Sequence, residues 1–140
     1  MRRAGSRVER SRALVAAVAC AACLVACSEI GPETCDRPER EEPLDYTGGS
    51  IEGGVYMSAP WNGELLHFPG GAHYRIHHRL GVVPRWWIAY LSFESHGLAE
   101  GSVAPAAGNE AELKAIDAET LTLLNGSCAE YWLLLVAGGG

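Results

Sequence analysis

The chain has 140 residues, with 11 Lys and Arg against 17 Asp and Glu, and hydrophobic side chains make up 48% of it. That length suits one modest domain and excludes a multidomain architecture. The acidic balance leaves no basic stripe for phosphates, which excludes nucleic acid as an expected partner.

The basic residues are unevenly placed. Arg2, Arg3, Arg7, Arg10 and Arg12 crowd the start, and residues 13–26 follow with no charged or strongly polar side chain. A basic n-region ahead of an apolar h-region is the pattern of a secretory signal peptide. The run falls short of the roughly 20 apolar residues that a spanning helix needs, which favours transient insertion followed by removal. An uncleaved signal anchor is the alternative. The run closes on Leu24-Val25-Ala26-Cys27, which resembles the lipobox of bacterial lipoproteins, with small residues ahead of an obligatory cysteine. The resemblance implies cleavage of residues 1–26 as signal peptide, a diacylglycerol thioether on Cys27, and acylation, as with palmitate, of the freed amine. Two or three acyl chains make a durable membrane anchor where one does not. Ser28 stands where an Asp would favour inner-membrane retention, so the same resemblance implies a cell-envelope, outer-membrane destination.

Cys20, Cys23 and Cys27 spell a spacing that could be mistaken for a metal site. Two of them leave with the signal and the third is consumed by lipid, so no metal is expected there. The remaining 114 residues carry six Lys and Arg against sixteen Asp and Glu. Cys35 and Cys128 are the only cysteines left, and in an oxidising compartment an even pair predicts a disulfide.

Residues 27–50 are expected to form a tether, with Pro32, Pro38, Pro43 and the run Glu39-Arg40-Glu41-Glu42. Such a segment has too little apolar area to offset its ordering entropy. From residue 51 to 140 short β-branched and aromatic runs alternate with Gly, Pro, Asn and Asp, which predicts an all-β fold, a small antiparallel sandwich of about seven strands. The candidate strands are 54–58, 64–68, 72–78, 85–93, 112–117, 120–125 and 129–137. Asn109 with Glu112 three residues on could instead start a short helical turn, but Asp117-Ala118-Glu119 before Leu121-Thr122-Leu123 fits a tight hairpin. Period-two alternation leaves both faces of 85–93 and of 129–137 apolar, so both strands are expected to be central and buried on at least most of both faces.

His78-Arg79-Leu80-Gly81-Val82-Val83-Pro84 resembles a His-x-Leu-Gly-x-x-Pro turn of small β-sandwich domains at the C-termini of phage tail and fibre proteins, and more loosely the H-type lectin sandwich. The resemblance spans roughly residues 64–137 and implies a sandwich with a binding role. It brings no ligand residues with it. Pro84 fits a strand start, where no ladder donor is needed.

Chemistry is sparse. His73 and His77 on one strand lie about 13 Å apart by strand rise, too far to share an ion, so a zinc site would need His67 or His96. No G-x-S-x-G elbow or H-E-x-x-H is present, although Ser92, Ser95 and His96 cluster near Glu94. Asn125-Gly126-Ser127 is a glycosylation sequon expected to stay idle. Four tryptophans suggest more. Trp61 sits in the expected loop Ala59-Pro60-Trp61-Asn62-Gly63, where a flat indole can stack on a sugar. Trp86 is a second candidate platform, and loops bearing Gly70-Gly71 and His96 could border the site. The expectation is a non-catalytic binding module for a glycan or protein partner, with no cofactor and no resident metal. A structural envelope protein without small ligand and a hydrolase remain the alternatives.

Overall fold

The computed structural model describes residues 41–139. The expected signal segment, Cys27 and Cys35 lie outside the described residues. The bridge expected between Cys35 and Cys128 is therefore not seen among them.

Ten strands form two sheets. In chain order they are β1 (Leu44–Tyr46), β2 (Ser50–Glu52), β3 (Val55–Met57), β4 (Leu66–Phe68), β5 (His73–His77), β6 (Trp86–Ser92), β7 (Ala104–Pro105), β8 (Glu112–Ile116), β9 (Thr120–Leu124) and β10 (Tyr131–Gly138). One sheet has the order β1-β5-β9-β8; the other runs β2-β3-β10-β6-β7, with β4 also paired to β10. The expected all-β sandwich is what forms. All seven sequence-predicted strands are present, each trimmed at one or both ends, while β1, β2 and β7 were not foreseen. Strand β1 pairs in parallel with β5, so residues 44–46 belong to the fold and not to the expected tether. No described helix is long and apolar enough to cross a membrane.

The core lies between the sheets. Strand β10 is its spine: Leu133 and Leu135 face inward and are fully buried, joined by Tyr56, Phe68, Ala89 and Leu91 of the same sheet and by Ile76, Leu121 and Leu123 of the other. The opposite row of β10, Leu134 and Val136, is buried too, because the loop bearing Ala59 and Leu65 folds over the outer face. Both faces of β10 are therefore covered, as its sequence predicts.

Strand β6 departs from the expectation. Its Trp87, Ala89 and Leu91 pack inward, but Trp86 and Ile88 are exposed on the outer face, and Phe93, just beyond the strand, is 76% exposed. The covering loop reaches Tyr90 and stops, so the second apolar row is only half shielded.

The covering loop leaves the ladder at Ser58, between β3 and β4 along one side of β10. Ser58 N–H donates to Leu135 O at 2.9 Å, and Ser58 Oγ accepts from Leu135 N–H at 2.8 Å. The hydroxyl thus replaces a strand carbonyl in a buried place. Tyr46 of β1 donates its hydroxyl to Ser58 O at 2.9 Å, joining the two sheets through one residue.

The β8–β9 turn is set by Asp117, whose Oδ1 accepts the N–H groups of Glu119 and Thr120. Those bonds hold the Asp117 carboxyl below the ordinary carboxylate range. Residues 112–116 form the preferred strand and not the alternative helical turn; a single short turn precedes it, its cap two residues ahead of the Asn109–Glu112 spacing. It spans Gly108–Glu110, with Glu110 accepting from Ala107 N–H at 2.8 Å. His78 of the His-x-Leu-Gly-x-x-Pro turn is fully buried. Its Nδ1 accepts from Leu80 N–H, so the ring proton sits on Nε2, which donates to Asp117 O, each at 3.2 Å. The motif locks its own turn to the neighbouring hairpin.

Candidate outer-face aromatic site

The even-numbered residues of β6 and β10 project from the six-stranded sheet on the side away from the core. Registry sets Tyr90 opposite Leu134 and Ser92 opposite Trp132, while β4 places His67 on the far side of Trp132. Three strands distant in sequence thereby deliver His67, Trp132 and Tyr90 to one end of one face. Trp61 arrives from the covering loop, which Gly63 N–H closes onto Pro60 O at 3.0 Å.

Trp61 is 36% exposed and meets Tyr90 edge-on with ring centroids 4.8 Å apart. His67 lies 4.8 Å from Trp132, centroid to centroid, tilted by 42°. Its Nε2 is 2.8 Å from Glu130 Oε1. Two aromatic pairs therefore share the face, and a carboxylate with an imidazole borders one of them.

His96 borders the other. Leu98 N–H donates to Trp61 O and Leu65 N–H to Ser95 O, at 2.9 and 2.8 Å, clasping the His96 loop against the Trp61 loop. The approach needs Gly97, where a Cβ would press on Trp61 O. Ser95 Oγ and Glu100 Oε1 both lie on His96 Nδ1, at 2.9 and 3.2 Å. Partial loss of water pushes the Glu100 carboxyl up, but bonds from the His96 backbone and ring outweigh it and leave the carboxyl lower than usual. A nucleophilic relay uses the two ring nitrogens separately, one toward the carboxylate and one toward the serine. Here both partners crowd the same nitrogen, and Ser92 is buried, accepting from Glu94 N–H. The serine and histidine cluster is a turn-stabilising network.

Trp86 shares the face and is 42% exposed. It stands four residues from Tyr90, about 13 Å along the strand, with its ring laid over Gly138 so closely that any side chain there would collide with it. Of the three residues proposed from sequence, the structure clasps the loops that bear Trp61 and His96 together and sets Trp86 apart. Gly70-Gly71 is occupied elsewhere, packed on the Ser127–Cys128 backbone and donating from Gly71 N–H to Asn125 O.

The sequon has a structural explanation. Asn125 is fully buried. Its Nδ2 donates to Phe68 O and Ala129 O, and its Oδ1 accepts from Ser127 N–H and Oγ. All four hydrogen-bonding positions of the amide are filled, and no nitrogen is presented for glycosylation. His67, Trp132, Tyr90 and Glu130 were not singled out as a group by sequence, because only the strand registry brings them together.

Among the described residues no three His, Cys, Asp or Glu side chains gather in a group that could hold a metal ion. His77 is instead engaged with Asp45, at 2.7 Å. No protein-family model, curated protein or solved structure matches the chain.

Proposed function

We propose that the chain is a lipid-anchored, non-catalytic binding module of the cell envelope, tethered through Cys27, and that the outer face around Trp61 takes a glycan. One observation carries the binding reading. Trp61, on a loop over the sheet, stays partly exposed edge-on to Tyr90, next to the His67–Trp132 pair, with Glu130 and the His96 loop at the border. Sugars offer apolar C–H faces and hydroxyl edges. Flat rings match the faces at little cost in side-chain entropy, and carboxylate and imidazole groups accept from or donate to the edges. The net acidity of the domain favours a neutral glycan over a polyanionic one.

The lipid anchor is supported by the Leu24-Val25-Ala26-Cys27 pattern after a basic and then apolar leader. The outer membrane follows from Ser28 in the next position. A glycan array probed with the mature domain tests the binding reading. Retention of one or more neutral glycans by the native domain, weakened at least tenfold in Trp61→Ala and unchanged in Trp87→Phe, is expected. Equal retention by the Trp61→Ala protein would remove the reading.

A further inference from the structure

The geometry points to a second site, at the other end of the sheet from Trp61, that binds an anionic amphiphile: a single apolar chain carrying a carboxylate or phosphate head. Two adjoining clefts lie between the β2–β3 hairpin and the turn that follows β5. The larger, about 300 Å³, is walled by Ile51, Val55, Leu80, Val82 and Trp86 over the Gly138–Gly139 backbone. The smaller, about 240 Å³, is lined by Ser50, Tyr56, His78 and Arg79 and meets the first at Ile51. Together they fall within the roughly 300–1,000 Å³ of small-ligand sites.

The larger cleft has no charged side chain in its wall. Ile51 is 45% exposed and Val82 50% exposed there, beside the half-open Trp86 ring. Apolar side chains left around a concave opening are the feature that distinguishes a binding groove from singly scattered surface residues. Gly138 permits the Trp86 ring to lie flat as one wall.

Charge supplies the other half of the argument. The described residues contain four cations, Arg75, Arg79, Arg85 and Lys114, against twelve carboxylates. Arg75 pairs with Asp45 and Lys114 with Glu112. Arg79 and Arg85 have no carboxylate partner among the described residues, although the domain is rich in acid. Both lie on the segment that walls the clefts. Arg79 lines the smaller one, and Arg85 is bound through its backbone N–H to Gly138 O, the floor of the larger. Arg79 is also the one described non-glycine residue with a left-handed backbone, φ 53°. A single guanidinium bond, to Thr47 O at 2.7 Å, holds its side chain, leaving most of its five N–H donors for an anion. An apolar trough ending at an unpaired guanidinium matches an alkyl chain ending in an anionic head.

Decanoate at concentrations below micelle formation serves as the probe, with the mature domain observed by amide NMR. The expected result is saturable shifts at Gly53, Gly54, Val82 and Gly139. Affinity should fall at least fivefold in a folded Arg79→Gln protein, and also in Val82→Asp. Decyl phosphate run in parallel identifies the preferred head, and tighter binding of either one supports the site. Acetate giving the same shifts, decanol binding as tightly as decanoate, or full affinity in the folded Arg79→Gln variant would overturn it. Trp61→Ala should leave decanoate binding unaltered, so this site and the glycan face fail or stand separately.

Discussion

Asn125 shows how much one polar side chain can organise. Its amide joins the end of β4 to the turn that leads into β10 through bonds that have no substitute in a buried place. Removing one partner of a buried hydrogen bond costs about 1–3 kcal/mol for each group left unpaired. Asn125→Ala should therefore lower stability by about 3 kcal/mol or more in chemical denaturation. Ser58 makes a narrower case. Its hydroxyl serves Leu135 N–H alone, and Ser58→Ala should cost about 1–3 kcal/mol, with faster amide exchange confined to Leu135 and its neighbours. If exchange there stays slow, the hydroxyl is not the acceptor that matters. Neither role was legible in the sequence, where Asn125-Gly126-Ser127 has the composition of an exposed loop and Ser58 that of a strand end. Satisfaction of a buried polar group is decided by atoms distant in the chain.

At the scale of the element, the β8–β9 hairpin lends itself to a pH test. Asp117 is held low by N–H donors that favour its ionised form. A depressed carboxyl contributes stability that is present above its unfolded value of about 3.9 and is lost as pH falls through the lower folded value. The melting temperature of the native domain should exceed that of Asp117→Asn at pH 6, and the gap should close as pH falls below about 4. A gap independent of pH would assign the turn to amide geometry alone. The hairpin was legible because its signals are local: Asp, Ala and Glu between two alternating runs. Strands β1, β2 and β7 were not, since two or three residues carry no periodicity and their partners lie far along the chain. For β1 the neighbouring Pro43 and acidic residues also gave the composition of a tether. Alternation along β6 correctly identified two apolar rows, but not which row would be covered. That depended on how far the Ala59–Leu65 loop reaches.

For the whole molecule, two proposed sites with separate chemistry, at the two ends of one sheet, are joined to a proposed lipid anchor. The anchor predicts that the chain expressed in a bacterium partitions into detergent on phase separation. Cys27→Ser should move it to the aqueous phase or leave it as the unprocessed precursor. Detergent partitioning that survives the substitution would assign membrane attachment to another feature. The sandwich itself was legible from short β runs at regular spacing, and so was Trp61 as an aromatic ring in a loop. The remainder of the aromatic face was not, since Tyr90, Trp132 and His67 meet only through the β6–β10–β4 registry. Trp86, next to Trp87 in sequence, gave no sign that the two would part, one over Gly138 and the other into the core.

The binding claim depends most on the indole of Trp61, and its Nε1–H resonance can be followed alone among the four. On titration with a glycan retained by the native domain, the Trp61 indole signal should shift first and furthest, Trp132 should follow, and Trp87 should stay fixed. Saturable binding in which the Trp61 signal does not move would contradict the assignment of this face.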